Sequence, residues 1–329
     1  MADKKYDIVG MADCVVDCAV TVQTLPTHNQ GARAETMTYQ GGGNVATGLV
    51  ASARLGGKEK QGKIAGIGYL GDDPFGRFNR RDFEEHGIDT SYMETVPGST
   101  TSVAIVLSDR DTMGRSIMMN VGTVGKAGVH PVVPELLTDT KWLYTTARLD
   151  GFLPHIAMAK DAGAKLFIDA ANAASLPYID KVNAFIASEF AYNEMYGHDD
   201  NFEENCLKTL KMGPEIVIFT LGENGLVGCT KEEGFFKIPA FKMDVRCTLG
   251  CGDVFHGAYL MLLNMGYSPK EGAKIASAVS AIKTTRTGGR AGIPDLPTTL
   301  RFIETGEIDY TDIDERVKRY GRTLAYGIV

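Results

Sequence analysis

The chain has 329 residues, 44% hydrophobic and 23% charged, an ordinary globular balance sufficient for one large α/β domain. Its net charge of −7 and the absence of a dense Lys/Arg run argue against nucleic acid or an anionic membrane as partner. Six cysteines do not make a disulfide framework, no apolar h-region follows the first residues, and no run reaches the roughly 18 apolar residues of a spanning helix, so the expected location is the cytoplasm with reduced thiols.

Along the chain, Tyr6–Met11 and Val15–Val22 read as strands and Asn44–Leu55 as a small-residue helix. Lys63–Ile67 reads as a buried strand, followed by a helix near Pro74–His86. Residues 91–120 change character: Thr100–Leu107 and Arg115–Asn120 are β-branched or alternating around a turn-rich Asp109–Gly114, which predicts a hairpin. With the similar stretch 31–39 they form an expected small β-sheet lid. From Trp142–Tyr144 onward, apolar strands at Leu166–Asp169, Phe190–Tyr192 and Ile216–Thr220 alternate with helical stretches at 151–162, 178–186 and 200–212. Such alternation implies a parallel sheet covered on both faces. Strands 225–229 and 234–238, long helices 251–265 and 269–286, and an amphipathic segment 311–325 complete the reading.

Three apparent motifs are better read as structure. Gly57–Ile64 (G-K-E-K-Q-G-K-I) nearly spells a Walker A loop, but Ile64 replaces the magnesium-binding hydroxyl residue and the helix–strand order is reversed. Gly66–Gly71 matches G-x-G-x-x-G, yet Asp72 and Asp73 follow at a helix entrance, where carboxylates serve as caps. Cys14 with Cys18, and Cys247 with Cys251, are spaced too widely and lack the histidines of a usual zinc site, so they read as buried thiols.

The stretch with chemical content is Thr248–Ala258, T-L-G-C-G-D-V-F-H-G-A. Its glycines let backbone approach a ligand. The apolar pattern that follows is helical, so Gly250 and Gly252 fall at a helix N-terminus, a ready anion site. Asp253 in the first turn reads equally well as a cap or as a general base beside that site.

The stretch resembles the C-terminal signature of the PfkB/ribokinase sugar kinases, D-T-x-G-A-G-D-x-F. Four further segments resemble the family in the same order: Gly10–Asp17; Gly41-Gly42-Gly43 with Ala53–Gly56; Gly68–Gly76; and Thr220–Gly225 as T-x-G-x-x-G. The resemblance implies a three-layer, doubly wound, mostly parallel α/β fold as one domain over 1–329, with the lid at about 31–39 and 91–120. It implies ATP-dependent phosphorylation of a sugar, with Asp253 as base and the amides of Gly250, Cys251 and Gly252 as anion hole. Asp17, Gly42, Gly43 and Thr47 would hold the sugar; Thr47 stands where counting back from Leu55-Gly56 places the family's Asn. Asn193, Thr220, Gly222, Gly225 and Ser277 would border ATP. Tyr196 replaces the last Glu of the family's N-x-x-E element, leaving Glu194 to reach Mg2+ through water. Cys247 replaces an Asp that in many members helps hold a monovalent cation, which argues against K+ activation. Lids of this type often pair, so the resemblance also implies a homodimer.

Asp253–Ala258 and Ala281–Pro294 further resemble a subgroup that includes sulfofructose kinase, which would bring Asn120 and Arg148 to the substrate. Arg148 offers a fork suited to sulfonate, phosphate or carboxylate, and reads equally as a surface or ion-pair arginine. Arg290, in a glycine-rich loop, reads either as a phosphate contact or as a loop-shaping residue, and His256 as a packed or capping histidine. The competing readings are a nucleoside kinase, for which Tyr39 and Tyr92 are the candidate base-stacking residues, a sugar or nucleotide sensor without turnover, and, remotely, a dehydrogenase.

Overall fold

A computed structural model of the chain describes residues 4–326 except 113, 128–129, 147–148 and 171. Thirteen strands fall in chain order: β1 (Tyr6–Met11), β2 (Val15–Val22), β3 (Ala34–Gly42), β4 (Ile64–Gly71), β5 (Met93–Val96), β6 (Ser102–Asp109), β7 (Arg115–Asn120), β8 (Thr140–Thr146), β9 (Lys165–Ala170), β10 (Ala184–Ser188), β11 (Ile216–Thr220), β12 (Leu226–Thr230) and β13 (Gly234–Ile238). Nine of them build one sheet in the order β13-β12-β11-β10-β9-β8-β1-β4-β5. From β5 to β11 every neighbouring pair is parallel, and β12 and β13 close the edge antiparallel.

The strand residues alternate between two apolar cores, as a sheet covered on both faces requires. Ile8, Tyr144, Phe167 and Ile218 pack under the helices Asn44–Gly56, Cys251–Asn264 and Pro269–Lys283. Val9, Leu143, Ile168 and Val217 face the opposite layer, with residues of the helices Leu153–Asp161, Glu189–Tyr196 and Phe202–Lys211. This is the expected three-layer, doubly wound arrangement.

A second sheet, β3-β2-β6-β7, stands apart, with β2 antiparallel to β3, parallel to β6, and β6 antiparallel to β7. The expected hairpin is β6–β7. Within 91–120, however, Met93–Val96 joins the edge of the large sheet beside β4, and Val15–Val22 supplies a central strand of the small one.

One strand was misplaced by the sequence pattern. Phe190–Tyr192 is helical, within Glu189–Tyr196, and the strand is Ala184–Ser188, where a helix was expected. Burial decides it: Ala184–Ala187 is fully buried, whereas Phe190 is 64% exposed. The Ser188 hydroxyl caps the following helix by accepting from the Ala191 amide.

The Walker-like and G-x-G-x-x-G stretches take structural roles. Lys60, in the Walker-like stretch, pairs with buried Asp7 at 2.7 Å. Asp73 caps the helix Pro74–Glu85 and also accepts from the Thr101 amide and hydroxyl. Among the described residues no cluster of His, Cys, Asp and Glu could hold a metal ion, and no helix is long and apolar enough to cross a membrane.

Candidate active site

Gly250 is the N-cap of the helix Cys251–Asn264 and sits in the left-handed region, φ 71° and ψ 9°, with no side chain capping the first turn. That first turn therefore presents N–H groups at the positive end of the helix. The Cys251 amide is turned back to the Thr248 carbonyl at 3.3 Å. Gly252 is exposed, and a Cβ there would meet nothing nearer than His256 Cε1 at 4.0 Å. Of the three amides expected in the anion hole, Cys251's is the one already engaged.

The helix is held rigidly from behind. Val254, Phe255, Ala258 and Tyr259 are buried in the core. Gly257 packs directly on Gly48 of the helix Asn44–Gly56, where any Cβ would collide with the Gly48 carbonyl, and the Ser52 hydroxyl donates to the Gly257 carbonyl at 2.7 Å. Only glycine permits this approach.

Asp253 stands in that first turn, half-buried, with its pKa pushed up to about 7. Burial is the main cause, followed by the charge of Asp169. Asp169 lies at the end of β9, is 3% exposed, and is itself raised by burial. His256 places Nδ1 2.6 Å from the Gly252 carbonyl and 3.5 Å from Asp169 Oδ2. Because a carbonyl only accepts, Nδ1 carries a proton and donates it. His256 is thus a packed residue that ties the helix start to Asp169. Among the described residues, Asp169 Oδ2, His256 Nε2 and the hydroxyl of buried Tyr144 all lack hydrogen-bond partners. Asn44, exposed at the start of its helix, bonds Asp169.

Asp17, from β2, is 8% exposed and is raised by burial to about 6. Its carboxylate lies against the Cα of Gly42, so any side chain at 42 would run into it. Its charge also acts on Asp253. Asp17, Gly42 and Gly43 are therefore gathered on the side of the site that the small sheet supplies. Thr47 is not on that open side. It is 2% exposed and its hydroxyl accepts from Arg290 Nε at 3.4 Å, so it supports the glycine loop from behind.

Arg290 settles the other open question. It is fully buried, pairs with Asp82 at 2.5 Å, and donates to the Gly42 carbonyl at 3.0 Å. Its own amide and that of Ala291 donate to Gln40 Oε1 at 2.8 and 2.9 Å. Tyr320 completes Asp82 at 2.6 Å. Arg290 thus directs its guanidinium nitrogens to Thr47, Asp82 and Gly42 and shapes the loop.

Thr220, Gly222 and Gly225 form the turn after β11, closed by the Leu221 amide donating to the Gly225 carbonyl at 2.7 Å. Asn193 and Glu194 lie on the helix after β10; the Glu194 carboxylate accepts from the Ala173 amide at 2.9 Å. Ser277 is half-buried one turn before Ser280, whose hydroxyl donates to the Cys251 carbonyl at 2.6 Å. Asn120 ends the exposed strand β7. Arg148 lies outside the described residues. The sequence reading missed Asp169, Tyr144 and Asn44; the only signal for Asp169 was a carboxylate closing an apolar strand.

A profile of the pfkB family carbohydrate kinases matches residues 6–296. The chain belongs to this family. It is 27% identical to a ribokinase of Lactococcus lactis over 93% of this chain and 99% of the relative. It is 26% identical to a Haemophilus influenzae ribokinase over 82% and 91%, and 24% identical to fructokinase-1 of rice over 93% and 99%. Among solved structures, an Arabidopsis thaliana ribokinase complexed with ribose and ATP superposes with TM-score 0.73 at 20% identity, covering 92% of this chain and 99% of that one. A putative ribokinase II from E. coli, in complex with ATP and Mg2+, gives 0.77 at 18%, covering 91% and 99%. The pfkB chain described here is accordingly a carbohydrate kinase that uses ATP.

Proposed function

We propose that this kinase transfers the γ-phosphoryl group of ATP to a hydroxymethyl group of a sugar, a ketose or a derivative of one, with Asp253 as the base. The observation that carries the reading is a carboxylate of raised pKa in the first turn of a helix without a side-chain cap, beside exposed Gly252 and within the field of Asp17.

The chemistry follows from the parts. A base near pKa 7 is present in both forms at neutral pH and can take the hydroxyl proton as the nucleophile forms. The helix start receives the phosphoryl oxygens as charge builds on them. Asp17 and the Gly42–Gly43 backbone orient the sugar hydroxyls, and Asn120 and Arg148 extend that set. Thr220, Gly222, Gly225, Asn193 and Ser277 border the nucleotide. Magnesium, when bound, neutralises phosphate charge. No described acidic cluster cages such an ion, so this chain's residues fit an ion carried by phosphates and water, with Glu194 the nearby acid.

The small sheet, residues 15–42 and 102–120, acts as the lid that keeps water from the phosphoryl group. Its outer face exposes Met37, Ile105 and Met118 at 44%, 41% and 55%, on three of its four strands. A second copy of the chain covers that face in a homodimer. Tyr39 and Tyr92 are occupied by Phe75 and Tyr6, which weighs against a sandwich for a nucleoside base.

The test is ADP release with ATP and magnesium against sugars, sugar acids, phosphosugars, sulfosugars and nucleosides. One strong sugar hit is the expected result. Silence across the sugars with ATP binding intact overturns the reading in favour of a sensor.

A further inference from the structure

Lys283 is a fully buried cation that neither the glycine loop nor the acidic cluster accounts for. It closes the helix Pro269–Lys283 and is 0% exposed. Among the described residues no carboxylate lies within ion-pair distance of its Nζ. Instead Nζ donates to the main-chain carbonyls of Cys247, at 3.2 Å, and Leu249, and approaches Cys251 Sγ at 3.8 Å. Three acceptors use the three donors of an ammonium group. An unpaired buried charge is costly unless its hydrogen bonds are complete and its field serves a purpose.

The placement supplies the purpose. The two carbonyls belong to the segment that leads directly into Gly250 and the first turn of the helix Cys251–Asn264. The segment is clamped from both sides: the amides of Arg246 and Cys247 donate to the Thr284 carbonyl at 2.8 and 3.0 Å, and Leu249 packs with Ala104 and Val106 of the small sheet. A positive charge here lies behind the amides that receive the phosphoryl group. Its field also reaches the acids in front, opposing the effect of burial on both Asp253 and Asp17.

We propose that Lys283 is a resident cation of the phosphoryl-transfer site: its ammonium group orders the 247–249 carbonyls and places fixed positive charge behind the anion hole, so that turnover needs no monovalent metal ion. This rests on the kinase reading above. A metal ion seeking those two carbonyls would meet the ammonium group already bound to them. The mismatch at Cys247 is then part of one arrangement, since a thiol suffices where the neighbouring cation is covalently attached. Burial raises the Cys247 thiol and Lys283 brings it down below its ordinary value.

The experiment has two independent readouts. With the unmodified protein, kcat is measured in KCl and in tetramethylammonium chloride at matched ionic strength, and melting is followed in the same two salts without substrate. The expected result is equal kcat and no potassium-specific rise in melting temperature, because a ligand that does not bind does not stabilise. Lys283→Ala should lose about 10- to 100-fold in kcat with sugar KM little changed, and should regain part of that rate, together with a potassium-specific melting shift, in KCl. Lys283→Met, which fills the space but cannot be rescued, controls for packing. Potassium-specific activation or melting shift in the unmodified protein overturns the proposal, and so does a folded Lys283→Met with unchanged kcat. Absence of turnover with every sugar, in either salt, instead strikes the kinase reading, while the melting comparison still decides whether the carbonyls accept potassium.

Discussion

Two buried charged clusters lie on either side of the glycine loop Gly41–Gly43, and they are built to opposite standards. Behind the loop, Arg290 pairs with Asp82, which also accepts from Tyr320, while Arg316 donates to the Arg290 carbonyl at 2.9 Å. Burial alone would raise the pKa of Asp82, but Arg290 heads the interactions that hold it below the ordinary carboxylate value. In front of the loop, the pKa values of Asp253, Asp169 and Asp17 are all raised, and among the described residues Asp169 Oδ2, Tyr144 Oη and His256 Nε2 have no partner. A satisfied network fixes a shape; a network with open acceptors and displaced acidities is held ready for a ligand.

The largest effect should come from the front cluster. Asp253→Asn keeps the shape of the side chain and removes the base. Turnover is expected to fall by about 10²- to 10⁴-fold, with ATP affinity, read by calorimetry, within a few fold. Unchanged turnover would remove Asp253 from the base role. The rear cluster should respond in stability. Arg290→Met leaves Asp82 buried without its cation, at an expected loss of about 3–5 kcal/mol in denaturant unfolding. The pH dependence has a definite sign. Because the folded-state pKa of Asp82 is depressed, its pairing stabilises above the ordinary carboxylate pKa and is lost as pH falls through the folded value. The deficit of Arg290→Met should therefore be widest at neutral pH and narrow in acid. A deficit constant with pH would show that Arg290 acts by packing alone.

What could be read in the sequence follows from how each cluster is encoded. Gly250, Gly252 and Asp253 are contiguous, so one helix start carries glycine freedom, free amides and a carboxylate in a single word. Asp17 and Gly41–Gly43 were legible only through their resemblance to the family's N-terminal segments. Asp169, Tyr144 and Asn44 come from two strand ends and a helix start that meet only in the fold, and each reads locally as an ordinary boundary residue. Lys283 was hidden because a lysine in the last turn of a helix is the expected partner of the helix dipole. Arg290 was ambiguous because a glycine-rich loop predicts close approach without saying whether to phosphate or to another part of the chain. The strand placed at Phe190–Tyr192 failed because apolar composition cannot separate a buried strand from the exposed start of the helix that follows it.

The smallest and most discriminating effect concerns the coupling inside the front cluster. Asp253 faces Asp169 on β9, His256 on its own helix, Asp17 on β2 and Lys283 on the helix behind. Burial contributes most to its raised pKa and Asp169 is the next cause. Removing the Asp169 charge should let Asp253 ionise at lower pH. Since the base must be deprotonated, kcat/KM of the unmodified enzyme should climb through an acid limb near 7. In Asp169→Asn that limb should move down by about one pH unit. The rate on the alkaline plateau should change far less than in Asp253→Asn, because Asp169 tunes the base without touching the proton that is transferred. A limb that stays in place while the plateau collapses would mean that Asp169 orders the helix start through His256 and does not act by charge. The front cluster would then resemble the rear one, and its open acceptors would await substrate hydroxyls, not a change in protonation.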